Sequence, residues 1–290
     1  MFKPLLNISE WCNPEMASAE TAIHTPLDQV LAKARSENRA ALIGYLPAGF
    51  PTVEGCKAAI DVLVEVGFDA IEIGYPYSDP VMDGPIIQEA ADMALRNGVK
   101  AKDVISTLAY AHERGAAAVV MTYWNPIEQF GSDEFARAIA QAGGSGVITP
   151  DLSFEQAQPW KESANKAGIN TIFVVAPSTS DERLKKVTGI GSGFIYAASL
   201  MGVTGTRTAI SNSAQELVRR IRNVTNLPVA VGLGVSTPEQ AREVATYADG
   251  VIIGSALIKE LLGKDLQVQE GLTNLRKLGT SLVAATKGAS

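Results

Sequence analysis

The chain has 290 residues, 46% of them hydrophobic, so it is long enough to bury a large core. Its formal charge of −6 leaves no basic surface excess to neutralise a nucleic acid backbone or an anionic membrane. The 2 cysteines and 2 histidines lie in separate segments without metal-ligand spacing, which excludes a zinc site. Since the sequence shows neither a membrane-length apolar run nor a cleavable leader, we expect a soluble cytoplasmic protein.

The predicted elements begin after an N-terminal extension. Residues 1–25 precede the repeating part of the sequence and are expected to be partly flexible, and Pro26–Asn38 is predicted as a leading helix. From Ala40 onward, short apolar runs rich in β-branched residues alternate with helical stretches. The predicted strands are Ala41–Leu46, Ala70–Gly74, Ala118–Tyr123, Gly146–Thr149, Thr171–Val175, Phe194–Ala198, Val229–Leu233 and Gly250–Ile253. No linker divides this part, so residues 26–290 are predicted to form one catalytic domain.

Most of the predicted strands lead into a turn and then a residue able to cap a helix. These residues are Thr52, Ser153, Thr179, Ser213 and Thr237, and all but the first have Glu or Gln three residues later, the spacing of a capping box. Eight repeats of strand and helix in roughly 250 residues are typical of a (β/α)8 TIM barrel, whereas a doubly wound sheet usually has fewer strands. The sequence therefore predicts an α/β protein with a TIM barrel fold.

Two predicted connections are longer than a βα turn requires. One runs from Gly74 to about Val99 and is rich in proline, and the other, SLMGVTGTRTAISN, follows the sixth strand. Long βα loops of a barrel lie on its catalytic face, so both segments are candidate lids.

Glu72 lies within the apolar strand AIEIG and is the best candidate for acid–base chemistry. Strand alternation directs Ile71 and Ile73 to one face and Glu72 to the other, which in a barrel is the interior. Partial loss of water there is expected to raise the pKa of the carboxyl group toward neutrality. The alternative is a buried glutamate held by a structural partner, which the absence of Lys or Arg within five residues disfavours.

Asp83 follows in the run SDPVMDGP, on the loop that leaves the Glu72 strand. An aspartate before glycine is often only a turn former, but this position would let two carboxylates meet at one small molecule. Two carboxyl groups in different environments can act as a proton shuttle and an ionised partner. Asp151, in TPDLSFEQ after the fourth strand, is interpreted as a turn residue outside the site.

Glycines after the last three strands form a second group of candidates. Gly205 follows the sixth strand, Gly234 ends the seventh, and Gly254 with Ser255 ends the eighth. Backbone N–H groups of such loops can bind a phosphate dianion, and TIM barrels commonly place one there. A tight βα turn is the alternative for any single glycine.

Three tyrosines lie at or near the ends of predicted strands: Tyr45, Tyr123 and Tyr196. Aromatic walls at that level suit a flat apolar ligand, and the hydroxyl groups could orient it. Packing at the top of the barrel is the alternative for Tyr45 and Tyr123.

The run IEIGYPYSDPVMDGP (Ile71–Pro85) resembles the signature of the tryptophan synthase alpha chain family. Three further runs agree with that family in order and spacing: ALIGYLPAGFP, YAASLMGVTG, and AVGLGVS followed by GVIIGSA. The resemblance covers about Pro26 to Lys287. It implies a TIM-barrel lyase of tryptophan biosynthesis, which cleaves indole-3-glycerol phosphate to indole and glyceraldehyde 3-phosphate.

By motif position, the resemblance implies that Glu72 and Asp83 are the two catalytic carboxylates. It implies substrate-binding roles for Tyr45, Tyr123, Tyr196, Gly205, Gly234, Gly254 and Ser255. No cofactor is implied in this chain. Pyridoxal phosphate is expected in a partner, the tryptophan synthase β chain, with which the family usually forms an α2β2 complex. The loop around Asp79 and Asp83 and the segment after Tyr123 are implied to face that partner.

Two other functions stay open. One is that of another phosphosugar-processing barrel, a lyase or an isomerase with the same glycine loops. The other is a barrel that mainly binds and activates the β chain. A Schiff-base aldolase is disfavoured, because none of the predicted strands contains a lysine.

Overall fold

Eight parallel strands close into a barrel, in the order in which they follow along the chain. The computed structural model describes residues 24–198, 207–232, 234–263 and 268–288. The strands are β1 Ala41–Pro47, β2 Ala70–Gly74, β3 Ala117–Met121, β4 Gly146–Thr149, β5 Asn170–Val175, β6 Ile195–Ala198, β7 Val229–Gly232 and β8 Gly250–Ile253. The predicted TIM barrel is confirmed, and each predicted strand overlaps an observed one.

Helices connect the strands and surround the barrel. They are α1 Pro26–Ser36, α2 Val53–Val66, α3 Pro85–Arg96, α4 Ala101–Glu113, α5 Trp124–Phe130, α6 Ser132–Gln141, α7 Gln158–Ala167, α8 Asp181–Ile190, α9 Arg207–Arg222, α10 Pro238–Ala245, α11 Ser255–Leu261 and α12 Val268–Lys287. None of the helices in the described ranges has the length and apolarity needed to span a membrane.

Two of the predicted capping residues, Thr52 and Thr237, are confirmed. Thr52 accepts the Gly55 N–H, and Thr237 forms a complete capping box with Gln240. The prediction was wrong for Ser213, which lies inside α9.

Two further cap predictions differ from the structure. Ser180, not Thr179, caps α8, because the Thr179 hydroxyl instead accepts the Ala176 N–H within the preceding turn. Ser153 precedes a short 3₁₀ helix, Phe154–Gln156, and makes no side-chain capping bond. Local turn hydrogen bonds compete with capping in such residues.

Strand alternation separates an outer layer from the barrel interior. On β2, Ile71 and Ile73 pack outward in the cluster shared with the surrounding helices, whereas Ala70 packs in the interior cluster. Leu27 and Leu31 of α1 belong to that interior cluster. Since α1 contacts Ser145 just before β4 and Asn170 at the start of β5, it closes the N-terminal end of the barrel, and a ligand must enter at the other end.

The predicted division into an extension, 1–25, and a domain, 26–290, stays a prediction, because residues 1–23 lie outside the described residues. Thr25 is buried, and it caps α1 in a capping box with Asp28. The Asn170 amide donates to the Thr25 hydroxyl at 3.0 Å, which ties the start of α1 to β5. Thr25 and Asp28 thus anchor the start of α1 to the barrel.

Candidate active site

Glu72 lies inside the barrel, fully buried, in the middle of β2. Neither of its carboxyl oxygens has a hydrogen-bond partner among the residues that the structure describes. Burial, followed by the charge of Asp83, raises the pKa of Glu72 from its ordinary value of 4.5 to about 8. The expected inward direction is confirmed, and the carboxyl group is held in its protonated form at neutral pH.

A cavity of about 130 Å³ opens beside Glu72 at the C-terminal end of the barrel. Its size is close to that of the ~150 Å³ apolar cavities that bind benzene in proteins. The cavity brings together seven of the nine predicted site residues: Tyr45, Glu72, Asp83, Tyr196, Gly234, Gly254 and Ser255. Its polar groups are few and lie at defined positions, which is the usual composition of a small-molecule site.

Apolar side chains that the sequence analysis did not select form the rest of the cavity wall. They are Met82, Ile87, Met121, Val174, Val235 and Ile252. In the β2–β3 register, Glu72 pairs with Val119, and Gly74 pairs with Met121 two positions further along. The same parity that turns Glu72 inward could therefore have identified Met121.

The second carboxylate, Asp83, enters the cavity from the loop between β2 and α3. Burial raises the pKa of Asp83 above its ordinary value, and the neighbouring Tyr123 hydroxyl offsets part of that rise. The same hydroxyl accepts the Met82 backbone N–H at 3.1 Å. Tyr123 does not line the cavity itself, so the structure places it behind Asp83.

Tyr45 and Tyr196 stand on β1 and β6, and both are nearly buried. Burial raises the pKa of each hydroxyl well above 10, so both stay protonated. Each ring lies against a glycine, Tyr45 against Gly74 and Tyr196 against Gly232, where a side chain would clash with it. These glycines make room for an aromatic wall on the cavity.

The cavity ends at glycines of the β7–α10 and β8–α11 connections. Gly234 has a φ of +93°, a left-handed conformation that glycine adopts without strain. Gly254 and Ser255 begin α11, where backbone N–H groups are unpaired within the helix. The structure brings these three together, as expected for a phosphate-binding end. Gly205 lies outside the described residues.

Comparison with known proteins identifies the family to which this barrel belongs. The family model described as tryptophan synthase alpha chain matches residues 31–287. A protein of that name from Streptomyces avermitilis is 53% identical over 263 residues, which are 90% of this chain and 95% of the relative. The chain belongs to the tryptophan synthase alpha chain family. Members of the family are carbon–carbon lyases that cleave indole-3-glycerol phosphate.

Solved structures of the family have the same fold. Tryptophan synthase from Mycobacterium tuberculosis superimposes with a TM-score of 0.84 at 49% identity, covering 91% of this chain and 98% of that one. The tryptophan synthase alpha chain from Legionella pneumophila superimposes with a TM-score of 0.80 at 30% identity, covering 91% and 97%. The barrel is thus retained across relatives that differ at most positions.

Asp151 was interpreted as a turn residue, and the structure gives it a longer-range contact. Its carboxylate accepts the backbone N–H of Trp124, with distances of 2.9 and 3.1 Å from the nitrogen to the two oxygens. Trp124 is the first residue of α5 and directly follows Tyr123. No local pattern marks this contact, because it joins the loops that follow two neighbouring strands.

Proposed function

We propose that this chain cleaves indole-3-glycerol phosphate to indole and glyceraldehyde 3-phosphate, with Glu72 as proton shuttle and Asp83 as electrostatic partner. The observation that supports this most strongly is the buried carboxyl group of Glu72, unpartnered among the described residues, in a cavity that also contains Asp83. Membership of a lyase family supports the reaction, and the cavity geometry supports the roles.

The first step places a proton on C3 of the indole ring. The protonated Glu72 donates it, the C2–C3 π electrons form the new C3–H bond, and the nitrogen lone pair forms a C2=N1 bond. A pKa of about 8 keeps this proton available at neutral pH. The ring then carries a positive charge and can accept the electrons of the bond to be broken.

Asp83 stabilises this charge by accepting a hydrogen bond from the indole N–H. A carboxylate in a partly buried site exerts a stronger field than one in water. The Tyr123 hydroxyl opposes the effect of burial on the pKa of Asp83 and so favours its ionised form.

The second step breaks the carbon–carbon bond. The carboxylate of Glu72 takes the proton from the side-chain hydroxyl, the oxygen electrons form the aldehyde C=O, and the C3–carbon bond electrons return to the ring. Indole is restored as its nitrogen regains the lone pair, and Glu72 is again protonated. One carboxyl group therefore acts first as acid and then as base.

The phosphate group would bind at the glycine end of the cavity. Gly234, Gly254 and Ser255 lie there, and the first amides of α11 can donate to a dianion without a cation. Binding energy from this remote end positions the reacting carbon between the two carboxylates. Tyr45 and Tyr196 would contact the indole ring.

The family has no cofactor of its own and works with a β chain. We propose that this chain does the same in an α2β2 complex, that pyridoxal phosphate belongs to the β chain, and that the loop around Asp79 and Asp83 faces it. The expected cytoplasmic location stays a prediction.

The experiment that tests the proposal is an assay of the purified full chain with indole-3-glycerol phosphate. We expect release of indole, faster in the presence of a β chain. Absence of indole under both conditions would refute the proposed reaction. Indole released only with the β chain would instead favour a barrel that depends on its partner for activity.

A further inference from the structure

The first residues of α5 hold the loop that carries Asp83. The Tyr123 hydroxyl accepts the backbone N–H of Met82, the residue before Asp83, at 3.1 Å. The Tyr123 ring packs on that of Tyr77, with ring centroids 5.2 Å apart. The Asn125 amide donates to the Tyr77 hydroxyl at 3.2 Å. The position of the loop therefore depends on the position of the start of α5.

The start of α5 is in turn held from outside the helix. Tyr123 is its N-cap residue and makes no side-chain capping bond, and its hydroxyl accepts the Met82 N–H on the Asp83 loop. A helix leaves its first N–H groups unpaired. Asp151, after β4, accepts one of them at Trp124, and its charge is also favourable at a helix N-terminus.

We propose that Asp151 is a positioning residue for Asp83, acting through the Trp124 N–H and the Tyr123 hydroxyl. This inference rests on the proposed catalytic role of Asp83. Asp151 does not line the cavity, so it has no direct contact with substrate. Its loss lets the first turn of α5 fray. The Tyr123 hydroxyl then no longer holds the Met82 backbone, and the adjacent Asp83 carboxylate leaves the position that the indole N–H requires.

The proposed chain of contacts predicts an effect on turnover rather than on binding. Gly234, Gly254 and Ser255 lie on other connections of the barrel, so the phosphate end is expected to be unchanged. A group that acts in the transition state lowers kcat when it is displaced, while KM changes little. If Asp151→Ala only reduced the amount of folded protein, its effect on activity would be independent of a substitution at Tyr123.

The test is a double-mutant cycle in the full chain, with indole release as the assay. Asp151→Ala and Tyr123→Phe are each expected to lower kcat about tenfold with little change in KM. Because both variants break the same chain of contacts, the double variant is expected to be no slower than the slower single one. Asp151→Asn keeps a carbonyl acceptor and is expected to recover most of kcat. Effects that multiply in the double variant would overturn the proposal.

Asp249→Ala is the matched control. Asp249 also accepts a backbone N–H across elements, that of Val229 at 2.9 Å, but at the opposite end of the barrel. We expect the Asp249→Ala substitution to lower the stability of the protein and to leave kcat unchanged. A loss of kcat equal to that of Asp151→Ala would show that destabilisation alone explains the effect, and would overturn the proposal.

A second measurement does not depend on activity. Amide hydrogen exchange in residues 77–83 is expected to be faster in Asp151→Ala and in Tyr123→Phe, and unchanged in Asp249→Ala. Unchanged exchange in Asp151→Ala would refute the positioning role. The two proposals fail differently. Full kcat in Asp83→Asn would refute the proposed function. If Asp83→Asn is impaired but Asp151→Ala keeps full kcat, only the positioning role is refuted.

Discussion

Gly74 leaves the space that the ring of Tyr45 occupies at the top of the barrel. A Cβ atom at residue 74 would lie 2.6 Å from Cζ of Tyr45 and 2.7 Å from its Cε2, closer than carbon atoms can pack. The two residues stand on neighbouring strands, β1 and β2, and Gly74 lies two positions beyond Glu72, the register partner of Tyr45. Tyr45 can therefore form part of the cavity wall only because residue 74 has no side chain.

Gly74→Ala is expected to displace the Tyr45 ring, because the added methyl group has no room beside it. Overpacking of this kind typically costs about 2 kcal/mol of the free energy of unfolding. Urea denaturation measures this loss, and kcat/KM should fall as well. Gly189→Ala is the control, since nothing lies within 4 Å of a Cβ atom there and alanine favours the helix. Equal stability of the two variants would contradict the steric argument.

Glu72→Gln is expected to keep the shape of the side chain and abolish proton transfer. The proposed mechanism uses this group as both acid and base, so kcat should fall by ~10²–10⁴-fold or more. Steady-state indole release measures the change. Glu89→Gln, on the exposed side of α3, is the control and should be fully active. Near-normal turnover in Glu72→Gln would remove Glu72 from the mechanism.

The stability of the protein is expected to depend on pH through Glu72. Its pKa is about 8 in the folded chain and 4.5 when unperturbed, so the folded state holds the proton more tightly. The contribution of Glu72 to the free energy of unfolding is then greatest below pH 4.5 and falls as pH rises toward about 8.

Urea denaturation of the wild type and of Glu72→Gln at both ends of this range tests the dependence. Glutamine cannot ionise, so the stability of the wild type relative to the variant should fall with rising pH. A pH-independent difference would mean that Glu72 titrates normally in the folded chain.

Asp83→Asn is expected to lower kcat far more than it raises KM. The amide keeps the size of the side chain but loses the negative charge that balances the protonated indole. Steady-state kinetics separate the two parameters. Asp92→Asn, an exposed residue of α3, is the matched control. A raised KM at unchanged kcat would assign Asp83 to ground-state binding only.

Most of the fold was predictable because its signals are local. Apolar runs, strand alternation and caps such as Thr52 act over two to four residues, and the eight strands and the inward direction of Glu72 followed from them. The errors occurred where local alternatives compete. Thr179 stabilises a turn instead of a helix start, and Ser213 lies well within α9.

By itself, the sequence determined the barrel class and selected Glu72, Asp83, Gly234 and Gly254, which the structure brings to one cavity, since each lies in a short recognisable pattern. The tertiary structure alone decided which groups meet across the strands. Met82 and Tyr123 are 41 residues apart and Trp124 and Asp151 are 27 apart, yet each pair is joined by a hydrogen bond. These contacts depend on the closure and register of the barrel, which bring the loops after β2, β3 and β4 side by side. The raised pKa of Glu72 has the same origin, because neighbouring strands and helices exclude the water that would otherwise solvate its charge.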